Sequence, residues 1–218
     1  VFHDNLPPRY LAKMRYFNVS LKNITHPFST KAGGSYYKGS YNKFLTFQLQ
    51  EWDRVLYMDA DAIILRNPEP LLFETPRCGL AMPEAHWLGH PFFMSGLMLV
   101  EPKHVQETSA AVLEALNDPE EQRYNKEHTL SLLQSTRKYD MDVVNRRSIA
   151  KDVMMLPPYA LVILGPQDPS TQGFAEAPFV FHASGPKFWM TDGPEAPDRQ
   201  PYWRLWKSTK AKLDKIRF

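Results

Sequence analysis

Two aspartates interrupt an apolar stretch. Val55-Leu56-Tyr57-Met58 runs into Asp59-Ala60-Asp61, and Ala62-Ile63-Ile64-Leu65 resumes the apolar pattern. A run of this kind reads as a buried strand, where unpaired charges are costly. The fold must therefore bring a base or a cation to these carboxylates. In a purely structural account an Asp caps a turn, and Arg66 serves as the base. In a chemical account the pair lies where a strand meets its loop and holds one hard divalent cation, Mg²⁺ or Mn²⁺. Such an ion keeps open positions for the phosphates of a nucleotide-activated substrate. The carboxyl end of a strand is also where open α/β sheets place their ligands.

The 218 residues fit one α/β domain with a small terminal addition. An apolar content of 43% supplies a core, and a net charge of +2 argues against a nucleic-acid binder. A single cysteine, Cys78, excludes an internal disulfide and a Cys-rich zinc site. No apolar run reaches the roughly 20 residues that span a bilayer, and the first residues do not read as a signal peptide. The opening Val1-Phe2-His3-Asp4 has no Met and resembles the tail of a strand, so an upstream segment is expected to have been removed. Two sequons, Asn18-Val19-Ser20 and Asn23-Ile24-Thr25, tilt the compartment toward the secretory pathway, with a plain polar loop as the alternative.

Along the chain, Pro7-Pro8 precedes a short helix, and Val19 to Ile24 reads as a short strand. Gly33-Gly34-Ser35 punctuates the chain. Apolar residues at 37, 41, 44, 45, 49 and 52 form a helical stripe over Tyr37–Trp52, leaving Lys43, Gln48 and Gln50 off the core. Pro70–Phe73 reads as a short helix or turn, and Cys78–Met82 as a strand. Phe92–Val100 reads as a buried strand ended by Glu101-Pro102, with Gly96 marking a bulge or a close approach. His104–Leu116 is expected to be a helix whose core face is Val105, Val112 and Leu116, followed by an acidic loop at 118–121. Asp140-Met141-Asp142-Val143-Val144-Asn145 opens a short helix, its early acids matching the helix dipole. Strands are expected at 153–156, 159–164 and 178–182. Residues 201–218 form an amphipathic helix with Tyr202, Leu205, Trp206, Leu213 and Ile216 on one side and a basic other side. That side is a solvated face, or a surface for a membrane or an acidic partner.

Asp59/Asp61, Asp140/Asp142 and His182/Lys187 thus all lie at element ends, where each could be structural on its own. In order along the chain these segments resemble glycosyltransferase family 8, the group that includes glycogenin and bacterial lipooligosaccharide galactosyltransferases. Tyr41-Asn42-Lys43 with Trp52–Asp61 resembles its helix and Asp-x-Asp strand. Phe93-Met94-Ser95-Gly96 resembles its Phe-Asn-Ser-Gly strand, and Asp140–Asn145 its Asp-Gln-Asp segment. His182-x-x-Gly185 with Lys187 and Trp189 resembles its late His/Gly/Lys motif. The likeness runs from about Tyr36 to Met190, and the Asp-Met-Asp detail resembles fungal members that transfer N-acetylglucosamine.

That resemblance implies a GT-A fold, a mixed, mostly parallel sheet flanked by helices, over residues 1–200, with 201–218 as a helix packed on it or extending from it. It implies a UDP-sugar donor, Mn²⁺ or Mg²⁺, a glycan or other hydroxyl acceptor, retention of configuration and a Golgi or other secretory-pathway lumen, with the cytoplasm as alternative. Membrane association falls to a segment outside the sequence. Asp59, Asp61 and His182 would hold the metal. Lys43, Asp59, Ser95, Gly96, Gly185 and Lys187 would bind the donor, Lys187 at its diphosphate. Asp140 and Asp142 would face the sugar or acceptor as catalytic acids.

Met94 stands where the family has Asn, and Met141 where it has Gln. The step from Gly185 to Lys187 is one residue short, and Phe188 replaces a Pro. The family's first strand has no counterpart. Two other readings follow. One is a phosphatase of the haloacid dehalogenase type, which also places Asp-x-Asp after an apolar strand but wants a later acidic loop that Asp192-Gly193 matches poorly. The other is a non-catalytic remnant that binds a glycan or partner. Trp87, Trp189 and Trp203 could stack on sugars, with core packing the simpler role, and His86 and His90 could reach an acceptor from a surface loop.

Overall fold

The structure, a computed structural model, describes residues 2–3, 7–23, 40–85, 92–117, 140–145, 151–163, 178–183, 187 and 200–215. The punctuating glycines at 33–34, the acidic loop at 118–121, His86, Trp87, His90, Gly185, Phe188, Trp189 and Asp192-Gly193 lie outside them. So do the start of the expected helix at Tyr37 and the side chain of Leu116.

Two mixed sheets carry the fold. β3 (Val55–Met58), β6 (Leu97–Val100), β5 (Leu80–Met82) and β7 (Val153–Met155) form a four-stranded sheet in that order. β4 (Ala62–Ile64), β9 (Val180–His182) and β8 (Leu161–Ile163) form a three-stranded one. A third pair, β1 (Phe2–His3) with β2 (Lys22–Asn23), is parallel. Parallel pairing also joins β5 to β7 and β8 to β9, whereas β3–β6, β5–β6 and β4–β9 are antiparallel.

The central strand β6 explains its own sequence. Met98 and Val100 face one apolar cluster with Phe44, Leu80 and Val143, and Leu97 and Leu99 face a second with Ala81, Leu161 and Val180. A strand covered on both faces needs no polar alternation. The expected strand from Phe92 is shorter because only its last four residues join the ladder. Phe93 makes an isolated bridge to Glu84, and Ser95-Gly96 form a turn.

Helices α1 (Pro8–Tyr16), α2 (Glu69–Phe73), α3 (Gln106–Asn117), α4 (Asp140–Val144) and α5 (Gln200–Asp214) follow the expected order. α1 ends on Asn18, whose φ of 54° closes the turn while Val19 N–H donates to Met14 C=O. Asn tolerates this left-handed cap.

The helix expected over Tyr37–Trp52 is instead a 3-10 helix, Ser40–Gln48. Thr46 Oγ1 donates to Lys43 C=O, and Gln50 Nε2 to Phe47 C=O, bonds that favour the tighter turn. Tyr41 and Lys43 through Phe47 are all buried. The expectation that Lys43 lies off the core is therefore wrong, and Trp52, expected inside, is 59% exposed.

α5 packs Tyr202 against Phe181 at 4.4 Å between ring centroids, with Trp203 and Trp206 beside it. Leu205 and Leu213, expected on the apolar side, are exposed: Leu205 points away from the face that packs Tyr202, Trp203 and Trp206, and Leu213 lies beyond the packed turns. Trp203 serves the core as the simpler account held. Among the described residues no helix is long and apolar enough to cross a membrane.

Candidate active site

Strand register builds the site. The chain leaves the four-stranded sheet at Met58 and enters the three-stranded one at Ala62, so Asp59-Ala60-Asp61 is the crossing between the two. Met58 pairs with Leu97, and the ladder continues one step as Asp59 N–H donates to Gly96 C=O at 3.0 Å. Ala62 pairs with His182, and Ala183 N–H donates to Asp61 C=O at 2.9 Å. These bonds set Ser95-Gly96 beside Asp59 and His182 beside Asp61, from opposite sheets.

Gly96 lies in a turn beside the site, and a Cβ there would make only ordinary van der Waals contact. A Cβ on it would lie 3.4 Å from His182 Nδ1 and 3.5 Å from Asp59 Oδ2. His182 Nε2 stands 3.0 Å from Asp61 Oδ1 and 3.8 Å from Asp59 Oδ2. One ligand atom each from Asp59, Asp61 and His182 can be chosen so that all lie within 4.8 Å of one another.

Two buried lysines flank this triad. Lys43 Nζ lies 3.1 Å from Asp59 Oδ1 and 3.3 Å from Oδ2, and pairs with Asp140. Ser95 Oγ donates to the same Asp140 carboxylate and receives a bond from Lys43. Burial disfavours the Lys43 ammonium, but Asp140 and Asp59 outweigh it and raise its pKa above the ordinary value. Lys187 pairs with Asp61 and donates to Ala183 C=O at 2.7 Å. Burial alone would raise the Asp61 pKa, yet its bonds to His182 and Lys187 hold it well below the usual carboxylate range. Asp61 thus stays ionised, as a metal ligand must. Arg66 is not their counter-ion. Its guanidinium lies over the Phe179 ring, 3.5 Å from the centroid.

Asp140 opens α4, and Asn145 just past it anchors that helix. Asn145 Oδ1 accepts from Phe93 N–H at 2.6 Å, and its Nδ2 donates to Phe93 C=O and Met141 C=O. Asp142 lies on the same helix, and its side chain is outside the described set. Met94, 1% exposed, joins the core cluster of Leu97 and Leu161, and Met141 packs against it. Where the family carries polar Asn and Gln, this chain has extended its core. The structure therefore brings together Lys43, Asp59, Asp61, Ser95, Gly96, Asp140, His182 and Lys187.

Two polar residues carry more than the sequence reading gave them. Tyr57, read only as part of an apolar run, donates its hydroxyl to Asp59 Oδ1 at 2.6 Å. Burial and then the Asp59 charge push its phenol pKa up, so it remains a donor. Its position two residues before Asp59, on the same strand face, was the available signal. Glu101, read as a strand terminator, is 1% exposed and gathers Arg54, His104 and Cys78 N–H.

The two carboxylates and imidazole suit a divalent ion such as Mn²⁺ by their chemistry. The fold is that of the GT-A glycosyltransferases. It matches a galactosyltransferase, LgtC, solved with donor and acceptor sugar analogues, with a TM-score of 0.64 over 92% of this chain and 77% of that one, at 13% identity. No family model matches the chain. By sequence it is similar to the "Glucose N-acetyltransferase 1" of Aspergillus fumigatus, 32% identical over 67% of this chain and 37% of that protein. It is also similar to the "UDP-glucuronate:xylan alpha-glucuronosyltransferase 2" of Arabidopsis thaliana, 35% identical over 39% of this chain and 13% of that protein. These alignments span well under half the length of the curated relatives. The resemblance to glycosyltransferase family 8, drawn from the ordered motifs, stands. The phosphatase alternative loses its ground with the fold.

Proposed function

We propose that the chain is a metal-dependent, retaining glycosyltransferase that moves a sugar from a UDP-sugar to a hydroxyl of a glycan or glycoconjugate. The observation that carries this reading is the convergence of Asp59, Asp61 and His182 within 4.8 Å between two buried lysines. The division into a catalytic domain over 1–200 and a terminal element over 201–218 is part of this proposal, and the described helix there is Gln200–Asp214.

Asp59, Asp61 and His182 hold the ion, which when bound supplies positive charge for the leaving diphosphate. Lys187 adds a second charge for that group, a fixed stabilisation of the transition state. Ser95 and Gly96, with Gly185 by the family motif, are assigned to the donor, and Lys43 pairs with the Asp59 and Asp140 carboxylates beside them. By the family motif, Asp140 and Asp142 are the acids assigned to the sugar. A carboxylate there steadies an oxocarbenium-like carbon or attacks it, so both double displacement and same-face attack fit the retaining outcome. A UDP-sugar donor is supported by the similarity to the Arabidopsis protein named as using UDP-glucuronate. The two sequons favour the secretory-pathway lumen, the Golgi or another compartment of it.

The test is UDP release from a panel of UDP-sugars with Mn²⁺, comparing the chain with Asp61→Ala. At least one donor should release UDP, and the variant should lose that activity. Silence across the whole panel would instead favour a non-catalytic remnant. Cleavage of p-nitrophenyl phosphate with Mg²⁺ would revive the phosphatase.

A further inference from the structure

Asp59 offers two oxygens, and only one of them faces the imidazole. Oδ2 lies 3.8 Å from His182 Nε2. Oδ1 accepts from the Tyr57 hydroxyl at 2.6 Å. Lys43 does not distinguish between them, since its Nζ is 3.1 Å from one and 3.3 Å from the other. The phenol is the group that breaks this near-symmetry.

We propose that Tyr57 is a positioning residue whose hydroxyl locks the Asp59 carboxylate so that Oδ2 is presented as the ligand beside Asp61 and His182. This rests on the reading of those three residues as a cation site. Strand geometry makes it available. Alternate residues of a strand share a face, so Tyr57 and Asp59 project together, about 6.6 Å apart along the chain. The Tyr57 ring packs against the cluster of Tyr41, Phe44 and Met98, and its register partner is Met98. Phe would fill that place equally well. The hydroxyl adds nothing to packing and would be costly without an acceptor, and Asp59 Oδ1 is that acceptor. Partners that orient a metal's ligands typically carry about 10–100-fold of its affinity.

The experiment titrates Mn²⁺, with no nucleotide present, into the chain, Tyr57→Phe and Asp61→Ala, reading free Mn²⁺ by electron paramagnetic resonance. The original chain should bind one ion and Asp61→Ala should lose it. Tyr57→Phe should bind about 10-fold more weakly, with excess Mn²⁺ restoring occupancy. A circular-dichroism melt establishes that each variant is folded, a readout a packing role would move and a positioning role leaves nearly unchanged. Equal affinity in Tyr57→Phe and the original chain, with Asp61→Ala still defective, overturns the role of Tyr57 and leaves the cation site intact. No binding by the original chain overturns the site and this inference together.

Discussion

Met94 and Glu101 show how single side chains settle the balance between core and site. Met94 occupies a place where the family carries a polar residue, and here it is buried in the apolar cluster with Leu97 and Leu161. Met94→Asn should not restore a donor contact. It should destabilise the fold by roughly 2–4 kcal/mol, because an amide would be buried without partners, which urea unfolding measures. Glu101 is the converse, a carboxylate 1% exposed that holds Arg54 at 2.6 Å, while Arg54 donates to the carbonyls of Leu72, Thr75 and Pro76. Burial would raise its pKa, but His104 and Arg54 prevail and lower it. A carboxyl whose folded pKa lies below its unfolded value of about 4.3 contributes stability that is fully present above that value. The contribution fades as pH falls through the folded pKa. Unfolding free energy should therefore drop on the acid side of pH 4.3, and Glu101→Gln should both lower it at neutral pH and flatten that acid limb. Asp59, Asp61, His182, Lys43 and Lys187 could be named from their element-end placement and the family motifs. Tyr57 could not, because a tyrosine in an apolar run already has an adequate account in packing.

Element boundaries followed a simpler logic than the elements themselves. The two acids were legible as a strand end because charge interrupts an apolar run. The exchange of sheets across them was not, since it depends on β6 and β9 arriving from distant parts of the chain. The 3-10 helix over 40–48 reads in the sequence as an ordinary amphipathic helix, because periodicity cannot reveal that Lys43 will find the buried Asp140 and the half-buried Asp59. α5 offers a contrast within one helix. Trp206 packs beside Phe181 and Tyr202, whereas Leu213 is 40% exposed. Trp206→Ala should cost about 2–3 kcal/mol in chemical denaturation, and Leu213→Ala should stay within about 0.5 kcal/mol of the original chain. At the start of β5, a Cβ on Gly79 would meet the His104 carbonyl oxygen at 2.7 Å, a backbone atom that cannot easily give way. Gly79→Ala should therefore destabilise by about 1–3 kcal/mol.

For the whole molecule, one junction does the positioning. Two sheets meet at Asp59-Ala60-Asp61, one bringing Ser95-Gly96 and the other His182, while the 3-10 helix and α4 add Lys43 and Asp140. Carboxylates in this arrangement need cations, and the fold supplies two lysines, while one ligand atom each from Asp59, Asp61 and His182 lie within 4.8 Å of one another. The direct measurement is an anomalous-difference map at the manganese edge from crystals grown with Mn²⁺ and UDP. The account predicts one peak bonded to Asp59, Asp61 and His182 with a diphosphate oxygen completing it. A peak elsewhere, or a nucleotide seated with none of these three side chains on its metal, would contradict it.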